Sequence, residues 1–423
     1  MHGGSGVHDV VGVGFGPSNL ALAIALVERS GDPLSVRFVE RQERFGWHRG
    51  MLIEDATMQV SYLKDLVTLR NPASAFGFLS YLHERGRLVD FINYGSAFPT
   101  RIEFHDYLEW AAASFTGQVD YGTEVLGVAA VPGEPGLLEV HTNRGALRTR
   151  NVVLATGLVP HLPDGVVAGE RVWHSRDLLL RVSTLCAPRR LIVVGAGQSA
   201  AEAVDHLHRT FPTAQVDAVF ARYGYSPADD TAFANRVFDP AAVDDFFRAP
   251  PDVKHMIRGY HANTNYSVVD PELIEALYRR HYHEKVSGQE RLRFHNVSRV
   301  SDAVEVDGRV ELAVESMIDG SRQVLTADAV VYATGYRPSD PAALLGPLAD
   351  GCPRDAEGRL VLHRDYRVET GDGVTAGVYV QGATEHTHGL SSTLLSNVAV
   401  RAGEIVESIA AAVAARPVPV TGS

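Results

Sequence analysis

The sequence is poor in cysteine and in positive charge, and each shortage excludes a class of protein. Its 423 residues include two cysteines, Cys186 and Cys352, which lie far apart and form no Cys-x-x-Cys pair. Disulfide exchange and cysteine-ligated zinc are therefore not expected. The formal net charge of −12 disfavours nucleic acid or an anionic membrane as a partner, because both repel an acidic protein.

The sequence also lacks a long hydrophobic run. No apolar stretch approaches the ~20 residues of a transmembrane helix, and the N-terminus has no basic region followed by an apolar segment. These absences predict a cytoplasmic protein without a membrane partner. With 45% hydrophobic residues and every charged residue type, the composition is that of a globular chain of two or three domains.

The histidines are numerous, but their grouping does not indicate a metal site. The two clusters are His281-Tyr282-His283 and Glu385-His386-Thr387-His388. Neither offers a pair of ligands four residues apart on a helix with a third ligand nearby. No metal is predicted.

The residues that are present organise the chain around a glycine-rich turn near its start. An apolar strand leads into Gly12-Val13-Gly14-Phe15-Gly16-Pro17, and an apolar helix follows. Glycines allow a sharp turn and the close approach of a pyrophosphate to the helix N-terminus, where Pro17 suits the first turn. The next strand ends in Glu40, an acid placed to bind a ribose. The dinucleotide contacts predicted from this pattern are Gly12, Gly14, Gly16, Pro17 and Glu40. Gly16 falls one place early, so an ordinary turn between strand and helix is the alternative.

A second unit of this kind begins at residue 191. An apolar strand leads into Gly195-Ala196-Gly197-Gln198-Ser199-Ala200, the Gly-x-Gly-x-x-Ala form of the motif, and a helix follows. The next strand, residues 216–220, is followed by Ala221-Arg222 and by no acid. An arginine binds a 2′-phosphate whereas an acid repels it, so the sequence favours NADP over NAD. A plain loop arginine is the alternative for Arg222.

Two buried strands ending in Ala-Thr-Gly, at residues 155–157 and 333–335, accompany the two units. This pairing resembles the flavoproteins that have two dinucleotide-binding domains, the first for FAD and the second for NADPH. Disulfide reductases of that group need a redox cysteine pair, which this sequence lacks. Baeyer–Villiger monooxygenases carry Phe-x-Gly-x-x-x-His-x-x-x-Trp or a close relative between their units. The nearest segment here has its histidine one place late and Asp177 in place of the final aromatic.

Five spaced segments narrow the resemblance to one family. They are residues 14–20, 58–65 with 70–72, 98–101, 263–267 and 388–396. Their residues and their order, over about residues 10–407, resemble those of the N-hydroxylating flavin monooxygenases of siderophore and related biosynthesis. The sequence most resembles the L-ornithine N5-monooxygenases within that family.

The resemblance implies roles for individual residues. Beside Glu40, the expected FAD contacts are Trp47, His48, Met58, Gln59 and Leu394. Gln198 and Ser199 are expected to contact NADPH, and Arg101 belongs to the reduced-flavin and nicotinamide site. Counted back from Asn235, Arg222 lies one position away from the place where the family has the arginine that binds the 2′-phosphate. The expected ornithine-binding residues are Lys64, Asn235, Asn265 and Ser396. Lys64 is expected to meet the substrate carboxylate; without the resemblance it would be taken for a surface lysine.

The implied reaction is hydroxylation of the ornithine side-chain amine with FAD, NADPH and O2, through a C4a-hydroperoxide of the flavin. A primary amine has a pKa of about 10.4, so about one molecule in a few thousand is neutral at pH 7. Burial and neutral acceptors such as asparagine amides favour that form, and no acid–base triad is required. Lysine or another terminal amine is the alternative substrate. The alternative of another class is an uncoupled NADPH oxidase or a plain flavin-binding protein.

The predicted fold class is α/β, with two Rossmann-like dinucleotide-binding domains and a smaller, mostly helical substrate-binding region. The FAD domain is expected in two parts, residues 1–185 and 341–423, with the NADPH domain, residues 186–340, between them. Residues 229–288 are expected to form much of the substrate pocket. A C-terminal helix is expected from near Ser392 towards Ile405, with its N-terminus at the flavin ring. The resemblance also implies a homo-oligomer, and tetramers are common in the family.

Overall fold

Two parallel sheets, each carrying one of the glycine turns, organise the structure. The computed structural model describes residues 6–415, except 262, 263, 265 and 266. The strands are β1 (Val7–His8), β2 (Val10–Val13), β3 (Val36–Glu40), β4 (Val119–Tyr121), β5 (Val125–Val131), β6 (Glu134–Thr142), β7 (Gly145–Thr149), β8 (Asn151–Leu154), β9 (Leu158–Pro160), β10 (Val172–His174), β11 (Arg190–Val194), β12 (Gln215–Val219), β13 (Leu292–His295), β14 (Ser298–Val306), β15 (Arg309–Ser316), β16 (Arg322–Ala327), β17 (Ala329–Tyr332), β18 (Tyr336–Pro338) and β19 (Gly377–Val380).

The α-helices pack around these sheets and between them. They are α1 (Pro17–Glu28), α2 (Phe78–Glu84), α3 (Leu88–Tyr94), α4 (Arg101–Ala113), α5 (Leu178–Val182), α6 (Gln198–Thr210), α7 (Pro240–Arg248), α8 (Pro251–Tyr260), α9 (Pro271–Ser287), α10 (Pro341–Leu345), α11 (Pro347–Asp350), α12 (Glu385–His388) and α13 (Val398–Ala414). Within the part of the chain that the structure describes, no helix has the length and apolarity needed to cross a membrane.

The first unit is built on a parallel sheet of order β19-β8-β2-β3-β4. Its central strand β2 is buried at every residue, as is usual for a parallel strand covered on both faces. On one face lie α1, α4 and α13, with Val10 and Phe38 in the same cluster. On the other face Val11 and Val13 pack against Val140 of the sheet β1-β7-β6-β5. Burial on both sides fixes β2, and with it the turn that follows.

The second unit repeats this plan with the parallel sheet β10-β17-β11-β12-β13. Leu191 and Val193 pack in one cluster with residues of α6 and α9. Ile192, which points to the opposite face, packs with Val310 and Leu312 of the antiparallel sheet β14-β15-β16. The α/β fold with two Rossmann-like units is therefore confirmed, and α7, α8 and α9 make the insert of residues 229–288 helical.

The chain leaves the first unit through β9 and returns to it through β18. These two strands pair antiparallel, with Pro160 opposite Tyr336 and Leu158 opposite Pro338. The strand β10 lies before residue 185, the expected end of the first part of the FAD domain, yet it pairs with β17 in the second sheet. The predicted domain limits themselves stay a prediction.

The C-terminal helix begins later than the sequence predicts. Two 3₁₀ turns, Leu390–Thr393 and Leu395–Asn397, occupy the region near Ser392, and α13 begins only at Val398. Between the turns, Leu394 is extended, with φ −100° and ψ 160°. The apolar spacing in this segment therefore reflects burial of two short turns rather than a helix.

Candidate functional site

The first glycine turn leaves the N-terminus of α1 open. Gly14 has a φ of +82°, and a Cβ there would lie 2.5 Å from the carbonyl oxygen of Ala155, next to the end of β8. Gly16 caps α1 without a side-chain hydrogen bond, and Pro17 is the first helical residue. A Cβ on Gly16 would meet no atom within 4 Å. Since the first N–H groups of a helix have no intrahelical acceptor, this arrangement fits a pyrophosphate.

Glu40 lies beside this turn at the end of β3. Its carboxylate accepts hydrogen bonds from the backbone N–H of Phe15, at 2.7 Å, and of Gln42, at 2.8 Å. Carboxylate oxygens have about four acceptor sites in all, so capacity for a ribose hydroxyl remains. Gly12 is needed for packing, because a Cβ there would lie 2.3 Å from the ring of Phe38.

The second glycine turn has the same construction. Gly195 has a φ of +143°, and a Cβ there would lie 2.4 Å from the carbonyl oxygen of Ala333. Gly197 caps α6 without a side-chain hydrogen bond. The N–H groups of Gln198 and Ser199 begin this helix, as those of Ser18 and Asn19 follow Pro17 in α1. Each Ala-Thr-Gly strand end therefore borders one glycine turn.

Arg222 lies close to the second turn. Its guanidinium donates a hydrogen bond to the carbonyl oxygen of Ser267 at 2.9 Å. The Cα atom of Ser267 is 3.4 Å from the position that a Cβ on Gly197 would take. The side chain is exposed, which gives this end of α6 a positive charge near the open helix N-terminus.

Trp47, His48 and Met58 lie in the long segment between β3 and α2. The rings of Trp47 and His48 are perpendicular, with centres 4.5 Å apart. Burial among protein atoms, and after it the charge of Arg101, lowers the pKa of His48 to about 4. As a residue, His48 is nevertheless exposed to solvent, so protein atoms surround its ring without covering it, as at the wall of a cleft. Met58 is buried and its N–H bonds to the carbonyl of Pro99 at 2.9 Å, whereas Gln59 is exposed.

Arg101 connects this segment to the second unit. It is the first residue of α4, and its guanidinium donates to the carbonyl oxygen of Met51 at 2.9 Å. It also donates two hydrogen bonds to the carboxylate of Glu202 on α6, at 2.9 and 2.7 Å. The expected FAD and NADPH contacts are thereby linked through one ion pair.

The expected substrate residues come from segments that the structure brings together. The Nζ atom of Lys64 lies 5.9 Å from the ring centre of Phe238. The 3₁₀ turn that ends in Phe238 also contains Asn235, and it lies against the turn Leu390–Thr393. Ser396, which is buried, follows shortly after, with half-buried Leu394 between. The amide nitrogen of Asn235 donates to the carbonyl of Asp230 at 2.7 Å. Asn265 lies outside the described residues.

Two buried charged side chains beside the expected site residues were not identified from the sequence, Glu202 and Arg401. Arg401 is buried in α13; it donates to the carbonyl oxygen of Ser392 at 2.8 Å and to the hydroxyl of Ser18 at 3.4 Å. It thus holds the turn Leu390–Thr393 against the start of α1. A single arginine within the apolar stripe of a helix is the signal that would have identified it.

The histidine clusters make ordinary protein hydrogen bonds. His281 contacts the carbonyl oxygen of Leu292 at 2.9 Å, and His386 contacts that of Leu360 at 3.2 Å. In the described ranges, 6–415 with their short gap, no three His, Cys, Asp or Glu side chains are grouped to hold a metal ion.

His388, at the end of α12, should make stability depend on pH. Its ring stacks on Tyr366 with centres 4.0 Å apart, and burial lowers its pKa to about 3. In the unfolded chain a histidine titrates at about 6.5. Between these pKa values the unfolded state binds a proton that the folded state does not, so stability is lost as the pH falls from about 6.5 towards 3. This group should contribute up to about 1.4 kcal/mol per pH unit.

Urea unfolding between pH 7 and pH 4 measures this dependence. His388→Gln should flatten the curve of unfolding free energy against pH, because the titrating ring is removed. His83→Gln on the exposed side of α2 is the control. An unaltered slope in His388→Gln would show that other groups cause the pH dependence.

Two Rossmann-like units joined by the ion pair of Arg101 and Glu202, with both cysteines free, place the chain in the two-dinucleotide-domain class of oxidoreductases. The model of the L-lysine 6-monooxygenase/L-ornithine 5-monooxygenase family matches residues 6–338. The chain belongs to this family, and the resemblance stated from the sequence is confirmed.

Close relatives extend this similarity over almost the whole chain. The L-ornithine N(5)-monooxygenase of Burkholderia cepacia is 41% identical over 402 residues, which cover 90% of each chain. That of Pseudomonas aeruginosa is 40% identical over 420 residues, covering 95% of this chain and 94% of the relative. Among solved structures, the Kutzneria sp. 744 ornithine N-hydroxylase with reduced FAD, NADP+ and L-ornithine is 50% identical. It covers 96% of this chain and 99% of its own, with a TM-score of 0.94.

Proposed function

We propose that this protein is an FAD- and NADPH-dependent monooxygenase that hydroxylates the side-chain amine of L-ornithine to N5-hydroxyornithine. The likeness to the Kutzneria ornithine N-hydroxylase carries the proposal, because 50% identity extends over nearly the full length of both chains. The curated relatives named above share the same activity. A hydroxylated ornithine suits the biosynthesis of siderophores or of other hydroxamate or N–N natural products.

The two glycine turns supply the cofactor sites of this proposal. The N-terminus of α1 holds the pyrophosphate of FAD, and Glu40 binds its ribose. The N-terminus of α6, with Gln198 and Ser199, holds NADPH, and the guanidinium of Arg222 meets the 2′-phosphate. When bound, FAD supplies the redox chemistry that activates O2.

The remaining site residues position the amino acid. The ammonium of Lys64, which lies over the ring of Phe238, binds the substrate carboxylate. Asn235, Asn265 and Ser396 offer neutral hydrogen-bonding groups to the rest of the substrate. Neutral groups orient the amine without the negative charge that would raise its pKa, and exclusion of water favours its uncharged form. The protein thus contributes position and dryness, and no acid–base triad is needed.

Product analysis tests the proposal. Purified protein supplied with NADPH, O2 and one amine at a time should form a hydroxylamine preferentially from ornithine rather than from lysine or putrescine. A chain longer by one methylene is disfavoured by ~1–3 kcal/mol in a fitted pocket, which is about 10- to 200-fold. Mass spectrometry of the product, together with NADPH and H2O2 measurements, gives the preference and the coupling.

Three outcomes would contradict the proposal in different ways. A preference for lysine would identify a lysine 6-monooxygenase, the other activity of the same family. Release of H2O2 equal to NADPH consumed, with or without amine, would identify an oxidase. A colourless protein that cannot take up FAD would show that the protein is not a flavoprotein.

The homo-oligomer, expected to be a tetramer, and the cytoplasmic location also stay predictions. Light scattering measures the oligomeric state.

A further inference from the structure

An ion pair joins the two dinucleotide units between their expected cofactor sites. Arg101 on α4 of the first unit and Glu202 on α6 of the second make two parallel hydrogen bonds, at 2.9 and 2.7 Å. The planar guanidinium and the carboxylate therefore meet in the bidentate geometry that is the most directional for such a pair. The carbonyl oxygen of Met51 receives a further hydrogen bond from the same guanidinium at 2.9 Å.

The hydrogen bonds continue beyond Glu202 to the second glycine turn. The amide nitrogen of Gln198 donates to Glu202 at 3.0 Å, and its amide oxygen accepts from the backbone N–H of Asp270 at 2.8 Å. Gln198 directly follows Gly197, the N-cap of α6, and Asp270 is the N-cap of α9 in the insert. One carboxylate thus connects the first unit, the second turn and the insert.

The pair is buried, so each charge depends on the other. The side chains of Arg101 and Glu202 are 13% and 4% exposed. Removing one partner of a buried pair leaves the other charge without compensation, which is strongly unfavourable. The ion pair also crosses the junction between the two units, which the chain itself crosses at the paired strands β9 and β18. Units connected in this way move relative to each other unless specific contacts hold them.

A second contact lies close to the pair and limits the same movement. A Cβ on Gly50, beside Met51, would lie 1.8 Å from the carbonyl oxygen of Arg176, so the two backbones are in direct contact. Arg176 follows β10, which belongs to the second sheet, so this contact and the ion pair both join the two units.

We propose that Glu202 is a positioning residue for flavin reduction, which sets the nicotinamide unit in register with the flavin unit through Arg101 and Gln198. The inference rests on the proposed function, because it concerns the step in which a hydride passes from NADPH to FAD. In that step NADPH becomes NADP+, and FAD gains the hydride with its two electrons. Misplacement of reacting groups by about 1 Å costs ~10²-fold in rate, so a loosened junction slows the transfer although Glu202 touches neither reacting ring.

Glu202→Gln tests the proposal, because it keeps the shape of the side chain and removes its charge. Asp205→Asn is the matched control: Asp205 is three residues further along α6 and pairs with Arg209 and Arg280, each at 2.7 Å, within the second unit. In anaerobic stopped-flow measurements, Glu202→Gln should slow flavin reduction by NADPH at least about tenfold, and the control less than about twofold. FAD content should match that of the wild type in both variants.

Hydrogen exchange supplies a measurement that does not depend on turnover. In the FAD-loaded proteins, amides of β9 and β18 should exchange faster in Glu202→Gln than in the wild type or in Asp205→Asn. Flavin reduction at the control rate would overturn the proposal, and so would equal slowing in both variants. If Glu202→Gln does not retain FAD, Glu202→Asp takes its place: its shorter carboxylate should give intermediate slowing, and the control rate would overturn the proposal. A wild-type protein that NADPH cannot reduce would reject the proposed function instead, and the exchange comparison would still decide whether Glu202 holds the units together.

Discussion

Lys64→Ala should raise the KM for L-ornithine by about 30- to 100-fold, which corresponds to ~2–3 kcal/mol, the lower part of the range for truncating a buried charge pair. The variant removes the ammonium group that we propose as the partner of the substrate carboxylate. The KM for NADPH should change by less than about twofold, because the proposed NADPH site, at the second glycine turn, is separate from Lys64. Steady-state kinetics with each substrate varied in turn measures both values.

A second lysine provides the control for this variant. The ammonium of Lys254 lies 5.7 and 5.8 Å from the ring centres of Phe246 and Phe247, as that of Lys64 lies near Phe238. Lys254→Ala should leave the KM for ornithine nearly unchanged. Putrescine, which has no carboxylate, should be used about equally by the wild type and Lys64→Ala. An equal rise in the KM for ornithine and for NADPH would reject the role of Lys64.

Gly14→Ala should yield a protein that does not retain FAD and whose free energy of unfolding is lower by about 2–4 kcal/mol. Two costs add at this position. Alanine is strained at a φ of +82°, and its Cβ would lie 2.5 Å from the carbonyl oxygen of Ala155. Flavin absorbance of the purified protein and urea unfolding measure the two effects.

Gly16→Ala separates the fold from the cofactor site. Its Cβ would meet no atom within 4 Å, and Gly16 has an ordinary φ of −85°. We therefore expect a folded protein with stability within about 1 kcal/mol of the wild type. The added methyl group would nevertheless occupy the space assigned to the pyrophosphate, so FAD should bind more weakly. Unchanged FAD affinity in Gly16→Ala would place the pyrophosphate elsewhere.

Local features were predictable from the sequence. A strand, a glycine turn and a helix are set by neighbouring residues, and the positive φ of Gly14 and Gly195 is a property that glycine supplies at no steric cost. The same holds for the acid at the end of β3. The family resemblance, which rests on five such local segments, was confirmed by the family model. The assigned roles of individual residues, among them Lys64 and Arg222, stay predictions.

Long-range features were not predictable from the sequence. Arg101 and Glu202 are 101 residues apart, and Glu202 has the local sequence of any acid in the first turns of a helix. The start of α13 was predicted wrongly, because the buried turns before it carry leucines at helical spacing. Both failures have one cause: burial is decided by elements that are distant along the chain, whereas periodicity reports only that a face is covered.

The antiparallel pair β9 and β18 has a consequence for how such enzymes diversify. Because Pro160 and Tyr336 lie opposite each other, everything between them behaves as a cassette whose two ends are adjacent. Recombination could exchange that cassette without stretching the flanking chain. The cassette carries Asn235 as well as the second glycine turn. If these have the roles proposed above, a chimera would inherit its coenzyme preference and part of its amine selectivity together.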